Sequence, residues 1–163
     1  MDTRKIYEYA LQREYEGKRF FETNAARLSH ATAVAVFKRL ASEEQRHIEF
    51  IQAQINAMEA GKTADVAFGQ ELDPTGVFSR HAESESLDQT VLEAMVPDLP
   101  ILRMAYLIER DFAEFYDQAA QKASGEARQV LETLATWERR HAALFKDMHD
   151  RAFNEYARMP WGG

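Results

Sequence analysis

The sequence predicts an all-α fold: a four-helix bundle with a long crossover connection between the second and third helices. Three observations predict it. Apolar residues recur at helical spacing through both ends of the chain, and strand signals are weak throughout. Helix breakers are confined to the middle: residues 1–60 contain only Gly17, and residues 101–159 only Gly125, whereas residues 61–100 hold Gly61, Gly69, Asp73-Pro74-Thr75-Gly76, Pro97 and Pro100. The chain of 163 residues, 45% of them apolar, is long enough for one bundle core and short for two.

The elements follow in order. Ile6, Ala10, Gly17, Phe21 and Leu28 mark the first helix, and a turn is placed near Leu28-Ser29-His30. Ala33, Phe37, Leu40, Ile48, Ile51 and Ile55 mark the second. The connector over 61–100 is long enough to run the length of a bundle, about 40 Å for helices of this size, and a small helix is expected inside it around Leu87–Met95. Pro100 suits the first turn of the third helix, whose stripe is Leu102, Ala105, Phe112, Tyr116 and Ala120. Ser124-Gly125 is the stop, and Val130, Leu134, Leu144, Phe145 and Met148 form the last stripe. The chain thus reads as a single domain, 1–163, with helical hairpins at 1–60 and 101–159.

Composition removes several functional classes. Cysteine is absent, which excludes disulfides, cysteine-ligated zinc, iron–sulfur clusters and thiol catalysis. A net charge of -7 argues against a nucleic-acid partner. No apolar run reaches the ~20 residues of a membrane span, and Met1–Tyr7 has no secretory core, so a cytoplasmic protein is expected.

Charged residues interrupt the apolar stripes. Glu14 lies at the edge of the first, Glu44 and His47 within the second, Glu109 within the third, and Glu138 and His141 on or beside the fourth. Carboxylates facing a core are costly unless paired or bound to metal. Their heights agree: 30 residues separate Glu14 from Glu44 and 29 separate Glu109 from Glu138, each interval straddling a turn. Equal climbs up and down return the chain to one level. Glu and His at i and i+3 share a helix face, so four carboxylates and two imidazoles converge.

The halves also repeat. Leu40-Ala41-Ser42-Glu43-Glu44-Gln45-Arg46-His47 matches Leu134-Ala135-Thr136-Trp137-Glu138-Arg139-Arg140-His141, and Glu14 and Phe20 match Glu109 and Phe115. An oxygen-rich set with two imidazoles suits iron or manganese, and a Glu from each of two helices with Glu-x-x-His from the other two is the ligand set of dimetal carboxylate bundles.

On these motifs, with Glu14-Tyr15-Glu16-Gly17-Lys18-Arg19-Phe20-Phe21 and Glu109-Arg110-Asp111-Phe112-Ala113-Glu114-Phe115-Tyr116, the sequence resembles the rubrerythrin-like branch of the ferritin-like superfamily. The resemblance covers both hairpins. It implies a ferritin-like bundle in which Glu14, Glu44, His47, Glu109, Glu138 and His141 hold two irons, with Glu44 and Glu138 bridging; manganese or zinc could use the same ligands. The implied activity is a di-iron oxidoreductase that reduces peroxide or oxygen as ferrous iron is oxidised, with iron binding or storage without sustained turnover as the alternative. A metal-free structural module is the third reading. Rubrerythrins carry rubredoxin cysteines that bring in electrons; this chain has none, so an external donor such as a separate rubredoxin is expected. Rubrerythrins also look to place a further glutamate where this chain has Phe112. Of the aromatic pairs Phe20-Phe21 and Phe115-Tyr116, only Tyr116 can hydrogen-bond a ligand carboxylate. A homodimer is expected, with a domain-swapped arrangement open.

Other candidates read as ordinary. Glu43, Glu16 and Glu114 point off the stripes, and His30, His81 and His149 lack an upstream Glu partner. Phe20, Phe21, Phe37, Phe115 and Trp137 read as core packing, and the tail Arg158–Gly163 as a frayed end. The competing explanation of the six polar residues is a set of buried ion pairs completed by Arg13, Arg46 and Arg140.

Overall fold

A computed structural model describes residues 2–64, 66–72 and 89–160. Four long helices dominate it: α1 (Thr3–Ala25), α2 (Ala31–Glu59), and, after two short helices α3 (Val66–Leu72) and α4 (Gln89–Ala94), α5 (Leu99–Lys122) and α6 (Gly125–Arg158). A single 3₁₀ turn, Val96–Asp98, leads into α5. Among the described residues there is no strand.

The helix ends follow local chemistry. Asp2 caps α1, its carboxylate accepting from Lys5 N at 3.3 Å. His30, read from sequence only as a turn residue, caps α2: its Nδ1 accepts from Thr32 N at 3.2 Å. Gly61, just past α2, has φ +65°, and Gly125, the first residue of α6, has φ +60°, so both turns need a residue without a Cβ. Pro100 falls in the first turn of α5, where its missing N–H removes no helical bond. The connector differs in one respect from expectation. It holds α3 as well as α4, and α3 was not anticipated because seven residues carry too little periodicity. Leu87 and Asp88, the first residues of the anticipated short helix, lie outside the described residues, as does His81.

Two hydrogen-bonded joints set the topology. Asp98, fully buried at the start of α5, accepts from Ser29 N at 2.7 Å and His30 N at 3.2 Å at the start of α2. At the opposite end, Glu126 in the first turn of α6 accepts from Ala64 N, just beyond α2, at 2.8 Å. Helices α2 and α5 therefore run parallel, so the end of α2 and the start of α5 lie at opposite ends of the bundle. α1 packs against α2, and α5 against α6. Asp98→Ala strands two backbone N–H groups and removes charge-assisted bonds, so it should cost about 2 kcal/mol. Urea unfolding should show Asp98→Asn, which keeps an acceptor, falling between wild type and alanine.

The core divides into two apolar clusters. One is built around Tyr7, Phe50, Ile51, Leu131 and Leu134, the other around Phe21, Phe37, Leu40, Leu102 and Phe145. In the second, Phe21 stacks on Phe145 at 5.5 Å and meets Phe37 edge-on at 5.3 Å. The buried carboxylates fall in the sequence between the members of these clusters, so an acidic layer is sandwiched in the bundle.

Candidate metal centre

Each long helix contributes to the layer from its inward stripe. Glu14 comes from α1, Glu44 and His47 from α2, Glu109 from α5, and Glu138 and His141 from α6. All four glutamates have no exposure, and the two histidines have 3% and 6%. Glu and His at i and i+3 lie one above the other on α2 and again on α6. The single chain assembles all six.

The distances have a two-fold pattern. His47 Nδ1 lies 3.1 Å from Glu14 Oε2 and is aligned with it, and His141 Nδ1 lies 3.3 Å from Glu109 Oε2 in the same way. Glu44 and Glu138 are different, because each reaches both imidazoles with different oxygens. Glu44 places Oε2 3.7 Å from His47 Nδ1 and Oε1 3.3 Å from His141 Nδ1. Glu138 places Oε1 2.8 Å from His47 Nδ1 and Oε2 3.5 Å from His141 Nδ1. One ligand atom each from Glu44, His47, Glu138 and His141 fall within 4.8 Å of one another.

The residues fit a pair of cations. Both oxygens of Glu44, both of Glu138 and Oε1 of Glu109 are buried without a hydrogen-bond partner; the short approach of His47 to Glu138 is not aligned as one. A buried carboxylate oxygen left unpaired costs free energy, and cations among these oxygens remove that cost. The donors are oxygen and imidazole nitrogen without sulfur, a hard-to-borderline set suited to first-row metals. Four carboxylates balance two divalent ions. None of the competing arginines pairs with the layer among the described contacts: Arg46 pairs with Glu43 at 3.2 Å, the Arg13 guanidinium lies 4.4 Å over the Phe112 ring, and Arg140 is exposed.

Packed this closely, the buried carboxyl and imidazole groups shift one another's titration. Burial, reinforced by Glu138 and Glu44, pushes the Glu14 carboxyl well above the usual carboxylate range. Burial, with Glu44 and Glu138, does the same to Glu109. Burial alone would lower the imidazoles, but the surrounding carboxylates outweigh it and hold His47 and His141 well above their usual range. Glu138 goes the other way: burial would raise it, yet His47 and His141 hold it low.

Around the layer, Tyr116 donates its hydroxyl to Glu14 Oε1 across the α1–α5 contact, and burial with the Glu14 charge raises its own titration well above a free phenol. The repeat counterpart of Tyr116 is Phe21, which has no hydroxyl, so the two halves of the site differ. Gly17 is a close-approach glycine. A Cβ there would sit 3.1 Å from the Phe112 ring and 3.3 Å from Glu44 Oε2, so the ring closes the α1 side of the layer only because position 17 is bare.

Trp137, read from sequence as packing alone, stacks on His47 with centroids 4.8 Å apart and planes at 15°. The signal available was its place one helical turn before His141 and immediately before Glu138. The remaining candidates stay outside the layer. Glu16 and Glu114 are exposed, Glu43 is half-buried against Arg46, and His149 is half-buried against the Phe153 ring. Among the described residues no helix is long and apolar enough to cross a membrane.

In comparison with known proteins, the family model described as Rubrerythrin matches residues 5–149. No curated protein and no solved structure matches the chain.

Proposed function

This chain belongs to the rubrerythrin family, and we propose that it is a non-haem di-iron oxidoreductase that reduces hydrogen peroxide, or oxygen, with electrons from ferrous iron. The observation that carries this reading is the double reach of Glu44 and Glu138, each with one oxygen toward each imidazole. That is the disposition of two bridging carboxylates. Glu14 with His47 would hold one metal, and Glu109 with His141 the other. Two ferrous ions held there would supply the two electrons that, with two protons, turn peroxide into two waters.

The chain's own residues have separate tasks in this reading. Glu44 and Glu138, each reaching both imidazoles, would hold two metal ions side by side. The Tyr116 hydroxyl fixes the orientation of Glu14 and offsets part of its charge. The rings of Phe112 and Trp137, each almost wholly buried, keep bulk water from the layer. Loading must displace the protons held by Glu14, Glu109, His47 and His141, so it releases acid and weakens at low pH.

The second reading, iron binding without sustained turnover, is favoured by the absence of cysteine, since the sequence holds no thiolate-ligated centre to return electrons. An anaerobic ferrous titration followed by peroxide tests both. About two irons per chain are expected, with one round of peroxide reduction when no donor is present and continued consumption when one is added. Consumption that stops after one round even with a competent donor would favour the second reading. No retained iron, with unchanged thermal stability, would overturn both. Tyr116→Phe leaves Glu14 without its hydroxyl donor, and it should weaken one of the two metals by about tenfold while sparing the other. Stepwise metal titration reads this directly.

A further inference from the structure

We propose that Trp137 is the route by which electrons from an external one-electron donor reach the metal layer, through its stack on His47. The proposal rests on the dimetal reading above and adds to it a direction: electrons arrive on one side only.

The geometry starts at the surface. A cleft of about 480 Å³ lies between α3 and α6, lined by Val66, Gly69, Thr133, Thr136, Trp137 and Arg140 among others. Trp137 is its deepest link to the interior: 7% of the residue is exposed, and its ring lies flat on the imidazole of His47. His47 in turn stacks on His141, with centroids 5.2 Å apart and planes at 11°. One aromatic ring therefore separates the cleft from an imidazole whose Nδ1 faces oxygens of Glu14, Glu44 and Glu138. Phe50 meets Trp137 edge-on at 5.2 Å and holds it in that plane. Phe50 is itself fitted under α3, where a Cβ on Gly69 would come within 2.9 Å of its ring. The short helix in the connector thus builds both the wall of the cleft and the support of the indole.

The internal repeat does not carry this arrangement twice. The residue matching Trp137 in the first half is Glu43, which pairs with Arg46. His141 has no indole stacked on it from that position. Two halves that agree at every glutamate and histidine of the layer differ at the one residue that couples it to the surface. The chain contains no cysteine, so it has no thiolate-ligated centre to deliver electrons. In the proposed step the donor would give up one electron, being oxidised by one unit, and a trivalent metal ion held by His47 would take it up and become divalent. No bond forms or breaks in the chain. A second transfer resets the pair after each two-electron reduction of peroxide.

The test uses the cysteine-free background. Thr133→Cys places a single attachment point in the cleft for a photo-triggered one-electron reductant, and ferric-loaded protein is followed by flash photolysis. Trp137→Leu should slow reduction several-fold, and Trp137→Tyr, which restores a ring, should recover most of the rate. Metal analysis of each variant comes first. If wild type holds no metal pair, the dimetal reading falls and the route falls with it. If the variants hold both metals and are reduced as fast as wild type, the route alone is overturned.

A second measurement leaves position 137 untouched. In a Trp161→Phe background, Trp137 is the only indole, and its fluorescence should be strongly quenched by ferric loading but retained on loading with redox-inert zinc. Equal emission in the two forms would overturn the proposal.

Discussion

Glu44→Ala or Glu138→Ala is expected to abolish firm binding of at least one metal per chain. Each of these glutamates turns one oxygen toward His47 and the other toward His141, so each variant removes a donor from both metal positions at once. Glu14→Ala and Glu109→Ala remove a donor from one position only, since Glu14 faces His47 and Glu109 faces His141. The expected order of damage therefore separates the two classes. The bridging variants should lose more affinity than the roughly 10–100-fold that follows loss of an outer hydrogen-bond partner, and they should lose it in both steps of a titration. The terminal variants should keep one step close to wild type. Metal analysis after gel filtration, with ferrous or cobaltous ion as probe, distinguishes them. Retention of both metals in either bridging variant would overturn the assignment.

The convergence of these residues on one layer was legible in the sequence, because it depends on spacing; the contrast between bridging and terminal positions came only from the family resemblance. Glu14, Glu44, Glu109 and Glu138 interrupt apolar stripes at matched heights, and a period of 3.6 residues converts such interruptions into positions on a face. The helix limits came from the same periodicity and from a few breakers, which is why Ser124-Gly125 and Pro100 lie where they were expected. What was not legible depends on contacts between segments remote in sequence. Asp98 is one acidic residue beside Pro97 in an irregular connector, and nothing local says that it will accept from Ser29 and His30. Trp137 sits on an apolar stripe as any core tryptophan would; only the packing of α6 against α2 places it on His47. Gly17 and Phe112 are another such pair, each unremarkable alone and complementary across the α1–α5 contact. Helix α3 was missed because its reason for existing is the Phe50 ring that it covers, not its own seven residues.

The same carboxylates that make the site make the metal-free protein sensitive to pH, in a direction opposite to that of the loaded protein. Glu14 and Glu109 titrate well above the ordinary value of 4.5 in the folded chain, chiefly through burial. As pH rises past that value the unfolded chain gives up these protons while the folded chain still holds them, so stability declines until the folded groups also titrate. His47 and His141, raised above 6.5 by the carboxylates around them, extend the decline through neutrality. Glu138 is held low by the two imidazoles despite its burial, so its contribution is present above the ordinary carboxylate range and is lost in stronger acid. Protein treated with chelator should therefore be most stable in mild acid and should weaken steadily toward about pH 8. Metal ions displace the protons of Glu14, Glu109, His47 and His141, so their affinity rises as pH rises. At a free metal concentration 100 times Kd, each metal adds about 2.7 kcal/mol, which corresponds to a Tm gain of roughly 5–10 °C for a chain of this size. The gap between loaded and chelated melting curves should thus be narrow near pH 5 and wide near pH 8, as a matter of linkage. A gap that does not change with pH would mean that the buried glutamates and imidazoles are not the groups that the metals replace.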